Sequence, residues 1–287
     1  MLYNIVMEEK LLVTPRIDAI FKALFARNID LLQDFLSVVM EVDSSFFADI
    51  KVLNPELLPE SYQDKFARLD LLVETVTGEK INVEMQNHDE HNYKERSVFN
   101  CSKLFTEGFK AGKDYKALLK TICINVLQFN LFESGGYKST VFPIIKETGE
   151  AVTDKWQIHY FETKKLPEVT VTRLERWLRF FTIDTKEELL MVKSQGDTVI
   201  NKAADVTIAM NADERMREVA RIRLDSWLNE SIAKHKLIAE TEERASKQRS
   251  YAIAKNLLSL NIPLSYISQA TELSLTDIQK LQQGLSI

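Results

Sequence analysis

Residues 68–86 read RLDLLVETVTGEKINVEMQ, two alternating runs of Leu, Val and Ile joined by Val76-Thr77-Gly78. Successive side chains along a strand point to opposite faces. On the first run Leu69, Leu71 and Val73 share one face, and Arg68, Asp70, Leu72 and Glu74 the other. On the second run Ile81, Val83 and Met85 make an apolar face, and Asn82, Glu84 and Gln86 a polar one. A three-residue loop with glycine in the left-handed position is a common hairpin connection, and Gly78 sits where such a loop needs it. This register sets Asp70 opposite Glu84, with β-carbons about 4.5–5.5 Å apart. Two carboxylates that close on an apolar-backed strand pair repel. Either one takes up a proton or a cation sits between them. A divalent ion with hard oxygen ligands suits the pair. The competing reading is that these acids face solvent on an open sheet, as most strand Asp and Glu do.

Around the hairpin, residues 15–40 carry apolar residues at helical spacing, with Ile17, Ile20, Phe21, Leu24 and Phe25 on one side. Asn28 breaks that run into two consecutive helices. Residues 50–60, with Pro55 and Pro59, read as irregular. A long helix is expected over about 91–111, a β-branched strand over 119–129, and further strands in YKSTVFPII (137–145) and WQIHYFET (156–163). From about 170 the chain reads as helical. Residues 212–247 carry dense charge of mixed sign, the pattern of a solvated long helix. This order predicts an α/β fold with a small mixed sheet flanked by helices. The expected domains are 1–210, a long charged helix over 211–247, and a small helical unit over 248–287. Neither GxGxxG nor GxxxxGK[ST] occurs.

Composition narrows the class. The chain has 287 residues, 45% hydrophobic and 28% charged, the balance of a globular protein. A net charge of −5 requires any anion-binding surface to be a local basic patch. Cys101 and Cys123 lack metal-ligand spacing and read as buried thiols in a reducing compartment. The N-terminus, MLYNIVMEEKLL, does not read as a signal peptide. The segment 118–132 is too short and too polar to span a bilayer. A cytoplasmic protein with no membrane partner is expected.

The stretches DAIFKALFARNIDLLQDFLSVVM, RLDLLVETVTGEKINVEMQ and ERSVFNCSKLFTEGFKAGKDYKALLKTICINVLQFNLF occur in this order. Together they resemble the Rpn family of recombination-promoting nucleases and transposases, part of the PD-(D/E)-x-K nuclease superfamily. The resemblance covers about residues 15–135. It implies a restriction-endonuclease-like core and metal-dependent DNA cleavage. Asp70 matches the superfamily's metal-binding Asp, and Glu84 the acid of its (D/E)-x-K element. Gln86 stands where Lys is usual, although Glu-x-Gln is itself typical of the Rpn family. The Pro of the motif is replaced by Leu69. Gln can orient a water but brings no charge, so Lys22 or Arg96 would have to supply one.

The expected catalytic set is therefore Asp70, Glu84 and Gln86, with Asp70, Glu84 and Asp18 as ligands of Mg²⁺ (or Mn²⁺ or Ca²⁺). Asp18 and Lys22 are four apart on the first helix, and an ordinary ion pair is the competing reading. Lys22, Lys94, Arg96 and Lys103 are the expected DNA contacts, with Lys110 and Lys113 beyond them. HDEH (88–91) lacks HExxH spacing and reads as a polar loop before a helix. The tail SYISQATELSLTDIQKLQ loosely resembles a helix-turn-helix but has few basic residues, which favours packing or interaction over base reading. The alternatives are a nuclease-fold protein that binds DNA or a protein partner with weak or no cleavage, and a helical interaction protein using 212–247 as a homodimer surface.

Overall fold

A computed structural model describes residues 10–53, 71–89, 91–107, 109, 112, 114–133 and 135–283. Asp70, Lys110, Lys113 and most of the proline-containing stretch after residue 53 lie outside the described residues.

Helices α1 (Asp18–Arg27) and α2 (Ile29–Met40) come first, separated at Asn28 as the sequence predicts. Asn28 turns its amide back onto the Leu24 carbonyl at 2.7 Å, which ends the first helix. A two-residue strand, β1 (Lys51–Val52), follows where an irregular stretch was expected. The hairpin is β2 (Leu71–Glu74) and β3 (Lys80–Gln86), with Leu71 opposite Val83 and Glu74 opposite Lys80. Its loop closes through Thr75 N–H to the Glu79 carbonyl at 3.0 Å, with Gly78 at φ +84.

Helix α3 (Tyr93–Thr106) is shorter at both ends than its periodicity suggests. His91, at φ 64, and an Asp89 turn delay its start. Strand β4 (Thr121–Leu127) is wholly buried. Strand β5 (Lys138–Val141) stops short of Pro143, which has no N–H for a ladder. Strand β6 (Trp156–Glu162) follows.

The six strands form one mixed sheet in the order β1-β2-β3-β4-β6-β5. Strands β3, β4 and β6 are mutually parallel, and the other neighbours antiparallel. After the sheet come α4 (Arg173–Phe180), α5 (Lys186–Ser194), α6 (Thr198–Ala212) and α7 (Glu214–Ser259).

The alternation read in the hairpin decides the layers. Leu71, Val73, Ile81, Val83 and Met85 are buried in the main core. That core also takes α1, α2, α4, α5, α6 and Met216, Val219 and Ala220 of α7. Its centre is aromatic, with Phe21, Phe25, Phe35, Trp177 and Phe181 ring against ring at 5.0–6.0 Å. The opposite face of the sheet is covered by α3 through Tyr93, Cys101 and Leu104, which meet Cys123, Leu127, Ile158 and Tyr160. Helices on both faces of a sheet whose central strands are parallel give the expected fold class.

The chain divides into two compact units, 1–224 and 225–287. The charged helix does not end near 247: α7 continues through AIAKNLLS, whose Ala254 is fully buried. In the second unit α8 (Leu264–Thr271) and α9 (Leu275–Gln282) close a small core of Ala254, Ile267, Leu273 and Ile278. Among the described residues no helix is long and apolar enough to cross a membrane.

Candidate active site

The polar face of β3 does not meet water. Asn82 is 1% exposed and Glu84 6%, because α3 lies over them. The parallel register sets Glu84 beside Asn125 of β4, and Asn125 beside Tyr160 of β6. These three form one cross-strand row on the α3 face. The row behind it is Asn82, Cys123 and Ile158, and the row in front Gln86, Leu127 and Glu162. A polar band thus crosses three buried strands.

Among the described residues each oxygen of Glu84 has one donor. Asn82 Nδ2 donates to Oε1 at 2.9 Å, and the Tyr93 hydroxyl reaches Oε2 at 3.2 Å. The same hydroxyl lies 2.7 Å from Asn125 Oδ1. A phenol has one proton, so the two oxygens share it, weighted to the shorter contact. Asn125 Nδ2 donates to the His159 carbonyl at 3.2 Å, which fixes its oxygen as the group facing Tyr93. One turn along α3, the Ser97 and Tyr160 hydroxyls bond at 2.6 Å. The guanidinium of Arg96 stacks on the Tyr93 ring at 4.8 Å.

Burial raises the pKa of Glu84, and its bonds from Asn82 and Tyr93 and the charge of Arg96 only partly oppose this. Burial against so few donors favours the neutral acid. The Cys123 thiol is pushed well up by its bond with Cys101 and by burial, which keeps it protonated and a poor metal ligand.

The other expected groups are distributed as follows. Asp18, at the start of α1, accepts from Arg223 Nε at 2.9 Å and is ion-paired with that guanidinium through its second oxygen. The pairing across the chain replaces the local Asp18–Lys22 pair that helix spacing suggested. Gln86 is half-buried at the end of β3, and its carbonyl accepts from Gln128 N–H at 2.8 Å. Lys94 is exposed over the Phe132 ring at 5.1 Å, and Lys103 is exposed further along α3. Glu84, Gln86, Arg96 and Lys94 are thus gathered around the end of β3 and the start of α3. Asp70 follows Arg68-Leu69 in the sequence, one residue before the Leu71–Val83 pair, and lies outside the described residues.

A comparison with protein-family models matches residues 15–236 to the PD-(D/E)XK nuclease family transposases. The chain belongs to this family. Comparisons with curated proteins and with solved structures give no match. Membership in the PD-(D/E)XK family transposases makes the chain one of a group of nucleases tied to mobile elements, whose members generally use divalent metals.

The residues present can be weighed against such an ion. The donors on the α3 face are hard oxygens: the Glu84 carboxylate, the Gln86 amide, and Asn82 Oδ1, which is buried with no hydrogen-bond partner. Hard oxygens suit Mg²⁺, Mn²⁺ or Ca²⁺ rather than thiophilic metals. Among the described residues no group of three or more His, Cys, Asp or Glu side chains could hold a metal alone. The donor chemistry of these oxygens fits a hard cation.

Sequence reading missed Asn82 and Tyr93 as hydrogen-bond partners of Glu84, and Asn125 as the partner of Tyr93. Asn82 was visible in the polar alternation of β3. Asn125 carried a weaker signal, a lone amide in the otherwise apolar TICINVL. Nothing local linked Tyr93 to Glu84, nine residues earlier.

Proposed function

We propose that the chain is a divalent-metal-dependent DNA endonuclease that hydrolyses phosphodiester bonds. Glu84 and Asp70 would hold the ion, with Mg²⁺ as the first candidate and Mn²⁺ or Ca²⁺ as alternatives. Such an ion, when bound, polarises the phosphodiester and lowers the pKa of a water. Gln86, two residues along the same face of β3, orients the attacking water through its amide. The Arg96 charge acts on Glu84 and offers a positive group where the motif's Lys is replaced. Lys22, Lys94 and Lys103 contact phosphates. Asp18 joins the site as a ligand only when it releases Arg223.

The observation that carries this reading is Glu84 itself. A carboxylate 6% exposed, beside an unsatisfied amide oxygen and one step from Gln86, is costly to keep for packing alone. Its position matches the acid of the family's motif. The second reading is a nuclease-fold protein that binds without cutting, and Gln86 in place of Lys favours it.

A plasmid-nicking assay at low salt separates them. With Mg²⁺ or Mn²⁺ the wild type is expected to nick supercoiled DNA, and EDTA, Asp70→Ala and Glu84→Gln to abolish nicking. An intact plasmid under every metal, or equal nicking by the variants, rejects the endonuclease.

A further inference from the structure

We infer that Tyr93 and Asn125 are positioning residues: together they set the orientation of the Glu84 carboxylate in which it receives a divalent cation. This rests on the reading of Glu84 as a metal ligand and adds residues that the D…ExQ pattern does not contain.

The argument begins with freedom. A glutamate side chain has three rotatable bonds, and a ligating carboxylate must present particular lone pairs to a cation. Ionised, it offers about four acceptor sites. Asn82 Nδ2 occupies one on Oε1 at 2.9 Å, and the Tyr93 hydroxyl one on Oε2 at 3.2 Å. One donor on each oxygen fixes the carboxylate plane, and among the described residues no other donor takes the remaining sites.

Tyr93 is itself held. Its ring is 1% exposed, edge-on to Phe129 at 5.9 Å and under the Arg96 guanidinium. That leaves the hydroxyl one freedom, rotation of its proton. Asn125 Oδ1 at 2.7 Å restricts it, and Asn125 is pinned by the His159 carbonyl. The chain of contacts runs His159 carbonyl, Asn125, Tyr93, Glu84, and crosses from β6 through β4 and α3 to β3. Partners that orient a metal's ligands typically change affinity or activity by about 10–100-fold when removed.

The test is Mn²⁺ binding by the full-length chain without DNA, followed by electron paramagnetic resonance of the free ion. The proteins are wild type, Glu84→Gln, Tyr93→Phe, Asn125→Ala and the Tyr93→Phe/Asn125→Ala double variant. Thermal melts establish that each is folded. Glu84→Gln is expected to lose the site. Tyr93→Phe keeps the ring and its packing, and is expected to weaken Mn²⁺ binding about tenfold. Asn125→Ala removes the acceptor that competes with Glu84 for the Tyr93 proton, and is expected to change Mn²⁺ binding alone but to do little in the Tyr93→Phe background, because it acts through that hydroxyl. In the nicking assay the same variants should lower kcat and leave KM for DNA unchanged.

Wild-type affinity in folded Tyr93→Phe, with Glu84→Gln inactive in binding, overturns the positioning role and leaves the nuclease reading standing. Additive effects of the two substitutions overturn the link through Tyr93. If either variant does not fold, the other alone gives the affinity comparison. A wild type that binds no Mn²⁺ overturns this inference together with the metal site on which it rests.

Discussion

Glu84 combines two demands that oppose each other. In the proposed role of ligand it must be ionised, yet α3 removes it from water and burial raises its pKa. A carboxyl whose folded pKa exceeds its unfolded value gives stability at low pH that is lost as pH rises through the folded pKa. At pH 8 the native state therefore carries the cost of that raised pKa. Glu84→Gln removes the titrating group and keeps the shape. Its amide oxygen can accept from Asn82, its NH₂ can donate to the Tyr93 oxygen, and the Tyr93 proton is then free to go to Asn125. Tyr93 and Asn125 then each keep a partner. The variant is expected to be more stable than wild type by about 1 kcal/mol at pH 8 without metal, measured by urea denaturation, while losing nicking. A stability unchanged or lower at pH 8 counts against a strained carboxylate.

His159 provides the opposite sign. It lies on the main-core face, its Nδ1 3.2 Å from the Thr140 hydroxyl and its Nε2 buried with no hydrogen-bond partner. Burial, with Lys138 and Lys120 nearby, lowers its pKa from 6.5 to about 4. The unfolded chain then binds a proton that the native state refuses. The associated stability is full above pH 6.5 and lost as pH falls toward 4. Its size is at most about 3 kcal/mol. His159→Phe, beside the stacked Phe161 ring, is expected to flatten that part of the stability–pH curve. An unchanged slope between pH 7 and 4 in the variant would assign the acid sensitivity to other groups.

At the scale of elements, the hairpin places the site, and its loop sets the register. Gly78 sits at φ +84, and a Cβ there would meet Leu119 Cδ1 at 3.1 Å. Gly78→Ala therefore brings both left-handed strain and a tight contact, expected to cost about 1–2 kcal/mol. The check is a lower urea midpoint with an unchanged denaturant slope. This loop, both faces of the hairpin and the two opening helices were legible in the sequence because each is set by local pattern. Period-2 alternation named Leu71, Val73, Ile81, Val83 and Met85 as core, and all five are buried. What alternation could not give was the fate of the other face. A polar row reads the same whether solvent or α3 covers it, so the burial of Asn82 and Glu84 needed the β3–α3–β4 crossover. The Asp18–Arg223 pair was hidden for a related reason: 205 residues separate its members. The end of α7 was misread because charge density falls off near 247 while the helix itself continues.

For the molecule as a whole, the constraint is charge. At net −5 the protein repels a polyanion at long range, so DNA must be held by cations concentrated near the site. The parallel strands β3, β4 and β6 all end at one edge, and the chain leaves that edge through His88 and through Lys164-Lys165. The pKa of His88 is lowered by partial burial and by the charges of Arg16 and Lys164, which marks a locally positive rim. Lys94 opens α3 at the same edge, next to Tyr93. Lys103 lies nine residues further on, about 14 Å along the helix. If phosphates dock over the strand ends, the two lysines on α3 are not equivalent. Lys94→Ala is expected to weaken DNA binding and to reduce the slope of log affinity against log salt by about 1, the loss of one phosphate contact. Lys103→Ala is expected to change that slope by much less. Fluorescence anisotropy with a labelled duplex between about 50 and 300 mM salt, a roughly sixfold range, measures both. Equal slopes for the two variants would mean that the duplex lies along the whole of α3. A slope changed by Lys103→Ala alone would move the interface away from Glu84, and with it the case for cleavage at that carboxylate.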